Sequence, residues 1–270
     1  MTQTKAATKQ SNAVVQNTGA VIPGLEGVGQ DLLIIPRLKM VQQNSVEVMG
    51  NDMKPGSIVN SVTKDLIAKP SEQVTLIPIL NTQTRIFFKP VKDGGGILCR
   101  SFNNKDGQGE PGGDCFKCPK NKWGVDLKGE PTTPECAELL NIFCIVRGYD
   151  FPIPLTVSFK GTSMGAGKQL VNFFWADAQK SQISPWNFAY ELKTEFKENK
   201  AGQFFVFKVN PGGKAQKEEI AKGGIFYNLI KSTTVQIHED EDEIKAEQAR
   251  NANDSPEEPN AEDAPEDNPW

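Results

Sequence analysis

Cys99, Cys115, Cys118 and Cys136 are the side chains of this sequence best suited to do chemistry together. Their spacing is C-x15-C-x2-C-x17-C. The pair in Cys115-Phe-Lys-Cys118 forms a knuckle tight enough for both thiolates to reach one ion, with Gly112 and Gly113 before it and Pro119 after it. Four thiolates make a closed tetrahedral set, which predicts structural zinc and leaves no open position for a catalytic water. The surrounding chain needs such a staple. Residues 103–135 are rich in Gly, Lys, Asp, Asn and Pro with almost no apolar run, and a compact domain rarely holds so long a stretch without something to order it. Metal binding supplies roughly 10–16 kcal/mol of folding free energy in zinc-finger peptides. The competing reading is reduced thiols in a loop. Cys144, in "IFCIV", shares a strand face with Ile142 and Val146 and is expected to be a buried apolar residue.

Other chemistry finds little support. The single histidine, His238, sits at the edge of an acidic run, so Ser-His-Asp and Cys-His catalysis lack a partner set. "GTSMGAGKQ" (161–169) has a glycine spacing one residue too long for a phosphate loop, and Gln169 stands where a magnesium-binding hydroxyl belongs. Binding is expected, not catalysis.

Binders of single nucleic-acid strands combine cationic grooves with aromatic platforms. "TRIFFKP" places Arg85 and Lys89 beside Phe87 and Phe88, and strand alternation predicts one Phe in the core and the other outward. "FCIVRGYDF" sets Arg147 against Tyr149 and Phe151. A long hairpin gathers Lys193, Lys197 and Lys208 around Phe204. Trp123, among Lys117, Lys120 and Lys122, either packs on the knuckle or offers a stacking surface. Any one of these aromatics is more often core than platform. Trp175 and Trp186 read equally well as core.

The elements that would position these residues are mostly short strands. Ordered structure is expected to begin near "DLLIIPRLKMVQ". "SIVNSV", "EQVTLIPIL" (72–80) and "TRIFFKP" (84–90) read as strands, with 81–83 as a hairpin connection between the last two. Strands resume at 141–148 and 153–160. "KQLVNFFWADAQK" (168–180) has one apolar face at Leu170, Phe173 and Phe174 and predicts a helix. "NFAYELKTEFKENKAGQFFVFKVN" alternates as a hairpin, and "KEEIAKGGIFYNLIKST" predicts a last helix weakened by Gly223 and Gly224. The fold class is mainly β with minor α, an OB-fold-like barrel with the zinc-knuckle insertion at 99–136.

Charge divides the 270 residues in two. Residues 239–270 hold thirteen Asp/Glu against Lys245 and Arg250, a net of −11, which leaves +7 on residues 1–238. A basic body implies a polyanionic partner, and an acidic block implies a solvated interaction tail. Three parts are therefore expected: a flexible arm (1–30), a DNA-binding domain (31–238) and a disordered acidic tail (239–270). No apolar run is long enough for a membrane helix, the N-terminus lacks a secretory core, and five cysteines suit a reducing compartment. A soluble protein of the cytoplasm is expected, with no membrane partner.

The chain ends "PEDNPW". Acidic residues before a proline and a terminal aromatic resemble the tip of the bacterial single-stranded-DNA-binding proteins, with Trp270 in place of phenylalanine. Phage proteins of the T-odd type end similarly. Those of the T-even type carry a structural zinc within an OB-fold, though not on four cysteines. "CRSF…DGQGEPGGDCFKCPKNKWG…PECAELLNIF" is similar to a zinc-loop element of uncharacterised phage proteins. The resemblance implies a non-enzymatic protein that coats single-stranded DNA in phage replication or recombination. It implies that Glu266, Asp267, Pro269 and Trp270 recruit replication proteins, the ring entering an apolar pocket and the carboxylates meeting basic residues. Two rivals stand beside it: a structural or virion-associated zinc-stapled β-protein, and a zinc-ribbon transcription accessory factor.

Overall fold

A computed structural model describes residues 34–50, 53–89, 95–125, 129, 131–199, 202–232 and 236–237. The expected arm (1–30) and acidic tail (239–270) lie outside the described residues.

The first strands are β1 (Ile34–Ile35) and β2 (Leu38–Met40), followed by the short helix α1 (Val46–Gly50), β3 (Ile58–Asn60) and β4 (Leu66–Ala68). β2, β3 and β4 form a small antiparallel sheet. Next comes β5 (Val74–Phe88), then β6 (Ile97–Ser101), β7 (Asp106–Gly109), β8 (Gly113–Asp114), β9 (Gly124–Val125) and β10 (Pro131–Thr132). The chain returns in β11 (Cys136–Val146) and β12 (Leu155–Phe159), forms helix α2 (Met164–Ser181), the hairpin β13 (Phe188–Asn199) and β14 (Gly202–Lys214), helix α3 (Lys217–Ser232), and β15 (Gln236–Ile237), which pairs with β1.

β5 is the spine. β11 pairs antiparallel along nearly all of it, from Leu76–Val146 to Phe87–Cys136. On its other side β5 changes partner: its first residues pair with β13 and its last with β6. One end of the β5–β11 ladder thus belongs to the body, and the other carries the cysteine insertion as an arm. The expected hairpin connection at 81–83 is corrected by this. Asn81, Thr82 and Gln83 lie inside β5, in register with Ile142, Asn141 and Leu140. Their polarity reflects a stretch of strand that leaves the body core, which composition cannot distinguish from a turn.

The sheet buries both faces. Ile142, Cys144 and Val146 pack with Leu170 and Phe174 of α2; Phe143 and Ile145 pack with Phe226 and Ile230 of α3. Successive strand residues point to opposite sides, so α2 and α3 cover opposite faces. Burial on both sides is why 142–146 reads as an unbroken apolar run. The register shifts between Phe143 and Cys144, leaving Ile79 of β5 as the extra residue beside Pro78, which lies opposite Cys144; proline is tolerated at such a bulge.

The mainly β class is observed. Among the described residues the ladders stop short of a closed barrel, and isolated hydrogen bonds join the seams. On one side the junction is the single parallel bridge Arg37–Thr156, with Thr156 N–H donating to the Pro36 carbonyl (2.9 Å). On the other, Gln42 accepts from Phe205 N–H (3.0 Å) and donates to its carbonyl (3.1 Å), Thr194 donates to the Gly56 carbonyl (2.6 Å), and Phe207 N–H reaches Ser163 Oγ (3.3 Å). The predicted helices and the long hairpin form as expected. Gly223 does not loosen α3; a Cβ there would stand 2.8 Å from Trp186 Cβ, so the glycine admits that indole.

Candidate metal centre and nucleic-acid interface

Register places the first and last of the four cysteines on either side of one residue. Phe87 pairs with Cys99 on one side and Cys136 on the other. Directly opposed residues share a face, so the three form one row, and they pack as a cluster. Cys115 and Cys118 approach through the turn between β8 and the short 3-10 turn Pro119–Asn121. The Cys115 N–H donates to the Lys105 carbonyl (2.8 Å), and Asn121 Nδ2 to the Cys115 carbonyl (2.8 Å). All four thiols are free of disulfides. Burial pushes the Cys136 thiol up to about 11; nearby Arg85 opposes this, and Cys115, Cys118 and Cys99 reinforce it. The other three thiols are thus all within electrostatic reach of Cys136. As they stand, the described side chains form no group of three or more His, Cys, Asp or Glu that could hold a metal ion. Cys144 is fully buried in the body, and burial raises its thiol to about 12.

Arg85, expected to face DNA, is 8% exposed. Its guanidinium bonds the side chains of Asn104 and Asn121 and pairs with Glu138 (3.6 Å). It ties the loop after β6, the turn after the knuckle and β11 into one unit. The alternation predicted for Phe87 and Phe88 is corrected too: neither ring is outward. Phe87 lies with the cysteines, and Phe88 lies with Ile86 and Leu139. The arm has a small core on each face, which the alternation argument did not allow for. Lys89 is half-buried and lines an open hollow of about 700 Å³ with Phe87, Leu98, Pro111, Pro119 and Lys120. Lys120 stands 5.3 Å from the Phe87 ring centroid.

The second expected group lies at the opposite end of β11. Arg147 is held by Glu219 of α3 (2.7 and 2.8 Å), and this bond raises its already high pKa. Tyr149 stacks on Phe151 (5.8 Å), donates to Asp65 (2.8 Å) and accepts from Asn60 (3.1 Å). Both rings pack half-buried against the body core. The third group is gathered as expected: Lys193 lies opposite Lys208, and Lys197 opposite Phe204, all on one face of the hairpin. Glu195 on that face binds Lys197 (2.8 Å) and Lys208 (3.4 Å). Hydrogen bonds from those lysines hold its carboxyl below the usual range. The three groups sit on three separate parts of the chain.

The structure also exposes rings that the strand-based reading passed over. Phe102 and Phe116 stand in solvent with Trp123, while Trp175 is exposed on α2 and Trp186 packs against Tyr227. The signal was present: Phe116 falls within 103–135, the stretch with almost no apolar run, and Phe102 stands at its border. Glu266, Asp267, Pro269, Trp270 and His238 lie outside the described residues. Among the described residues no helix is long and apolar enough to cross a membrane.

No curated protein and no solved structure matches this chain. The family model described as Pam3 phage gp34-like protein matches residues 3–236, most of the sequence, and the chain belongs to that family.

Proposed function

We propose that this phage-family protein binds single-stranded DNA, coats it during replication or recombination, and recruits replication proteins through its C-terminal tip. It acts by binding and not by catalysis. The observation that carries this reading is one face of the β13–β14 hairpin, where Lys193, Lys197 and Lys208 share a row with Phe204 and outnumber Glu195, the acid that lies among them, on a body of net charge +7. Lysines on a sheet face neutralise phosphates, and a ring between them stacks on a base.

Zinc is the cofactor of this reading, held by Cys99, Cys115, Cys118 and Cys136. The donor chemistry supports it: four free thiols belong to one arm, and tetrahedral thiolate sets select zinc. Binding requires the thiolates and releases their protons. The ion would order the arm.

The tail (239–270, net −11) competes with DNA for the basic body. Its tip, Glu266, Asp267, Pro269 and Trp270, presents one aromatic anchor beside carboxylates.

The test is fluorescence anisotropy with labelled oligo-dT and with a duplex of equal length, at two salt concentrations. Tight binding to the single strand that weakens with salt is expected, because phosphate contacts release counterions. Deleting 239–270 tightens it, most at low salt. Equal binding to duplex, or no binding, overturns the reading.

A further inference from the structure

We propose that the cysteine arm is itself a contact for single-stranded nucleic acid, with Trp123 and Phe116 as base-stacking platforms. This rests on the single-strand reading above but places the stacking rings outside the hairpin.

Three of the five exposed aromatic rings among the described residues fall in the arm: Phe102 at 46%, Phe116 at 65% and Trp123 at 69% exposure. Ile97 and Val125 add exposed apolar surface to the same segment. These rings are not failed core. The arm has two small apolar clusters, Ile86, Phe88 and Leu139 on one face and Phe87, Cys99 and Cys136 on the other, and both form without them. Exposing rings of this size to water is unfavourable, and concentrated exposure of this kind marks a binding surface.

The arm as a whole (99–136) balances six Lys/Arg against six Asp/Glu, but three of its basic residues gather between the two most exposed rings, and that local charge points to the occupant. From Phe116 to Trp123 the chain carries Lys117, Lys120 and Lys122 and no acid. Lys117 pairs with Asp114 at 3.4 Å and Lys120 with Glu135 at 2.8 Å, both at the surface. Such pairs hold little free energy and exchange readily for phosphate. Arg100 stands 5.3 Å from the Phe102 centroid, a cation and ring already stacked. Two solvated rings flanking three lysines offer a strand both stacking surfaces for bases and cations for phosphates. An apolar protein partner has no use for the lysines.

The experiment uses the full-length protein and oligo-dT carrying 5-iodouracil, photocrosslinked and mapped by peptide, together with anisotropy on variants. Crosslinks at Trp123 or Phe116 are expected. Trp123→Ala and Phe116→Ala should each weaken oligo-dT binding roughly five- to hundredfold, and Trp123→Phe should recover most of it. Both side chains are largely solvated, so melting temperatures should stay at the wild-type value. The wild-type crosslink map does not depend on any variant folding. If the wild type binds oligo-dT but crosslinks only on the hairpin, and the arm variants bind normally, the arm contact is overturned while the function stands. That outcome would mark the rings as a protein-docking surface. If the wild type binds no oligo-dT, both readings fall together.

Discussion

Arg85 is drawn inward by Asn104, Asn121 and Glu138, residues with no sequence pattern linking them to it. Its charge lies near Cys136 and favours the thiolate, so on the zinc reading proposed above it positions the cysteine set. Arg85→Gln should lower zinc affinity about 10–100-fold, as outer-shell changes do, read by competition with a chromophoric chelator. Glu47 shows the same logic in the body. It is 2% exposed and meets Lys39 (2.9 Å), itself buried, and Lys64 (3.1 Å). Burial alone would raise its carboxyl, but hydrogen bonds from Lys39, its own backbone and Lys64 outweigh it and hold the pKa below 4.5. A carboxyl depressed on folding contributes stability above its unfolded pKa, and that stability is lost as pH falls through the folded value. Acid unfolding below about pH 4.5 should therefore draw on Glu47. Glu47→Gln should cost about 3–5 kcal/mol at pH 7, because Lys39 is left buried without its counter-charge. Chemical denaturation at several pH values checks both, with the variant's stability flatter across the acid range.

At the scale of elements, β14 is an edge strand whose pairing groups are met by side chains. Gln42 takes both the N–H and the carbonyl of Phe205. Gln42→Ala should destabilise by about 1–3 kcal/mol through unpaired backbone groups, with faster hydrogen exchange confined to the Phe205 amide and its neighbours. Helix α2 is fitted to the sheet with similar closeness. A Cβ at Gly167 would stand 2.6 Å from Phe159 Cγ, and Phe159 is fully buried. Gly167→Ala gains about 1 kcal/mol of helix propensity, and overpacking at this contact costs about 1–3 kcal/mol. The expected outcome is a lower melting temperature despite the better helix former.

For the whole molecule, the shared β5–β11 ladder makes body and arm mechanically continuous but differently stabilised. The body has two apolar clusters under two helices; the arm has two much smaller ones. A strong chelator should therefore melt the arm first. The expected record is two calorimetric transitions that merge toward one when zinc is restored, with helical circular dichroism retained through the first. A single transition unaffected by chelator would count against metal as the staple. If the arm contacts DNA, chelation also weakens oligo-dT binding without unfolding the body.

The sequence by itself determined what depends on local pattern. The 3.6-residue spacing of Leu170, Phe173 and Phe174 marked α2, and the period-2 alternation from Phe188 to Phe196 marked β13, because such periods survive any packing. It determined the cysteine spacing and the opposite charges of residues 1–238 and 239–270, which are read directly from residue order. Tertiary structure decided whatever depends on partners distant in the chain. Asn81–Gln83 became strand because β11 pairs with it there. Phe87 and Phe88 were both buried because the arm builds a core on each face. Arg85 and Arg147 turned to Asn121 and Glu219 rather than to solvent. Trp123 was left 69% exposed, which its residue type alone did not decide. Residue type fixes what a side chain can do, and only the neighbours supplied by the fold decide which of those things it does.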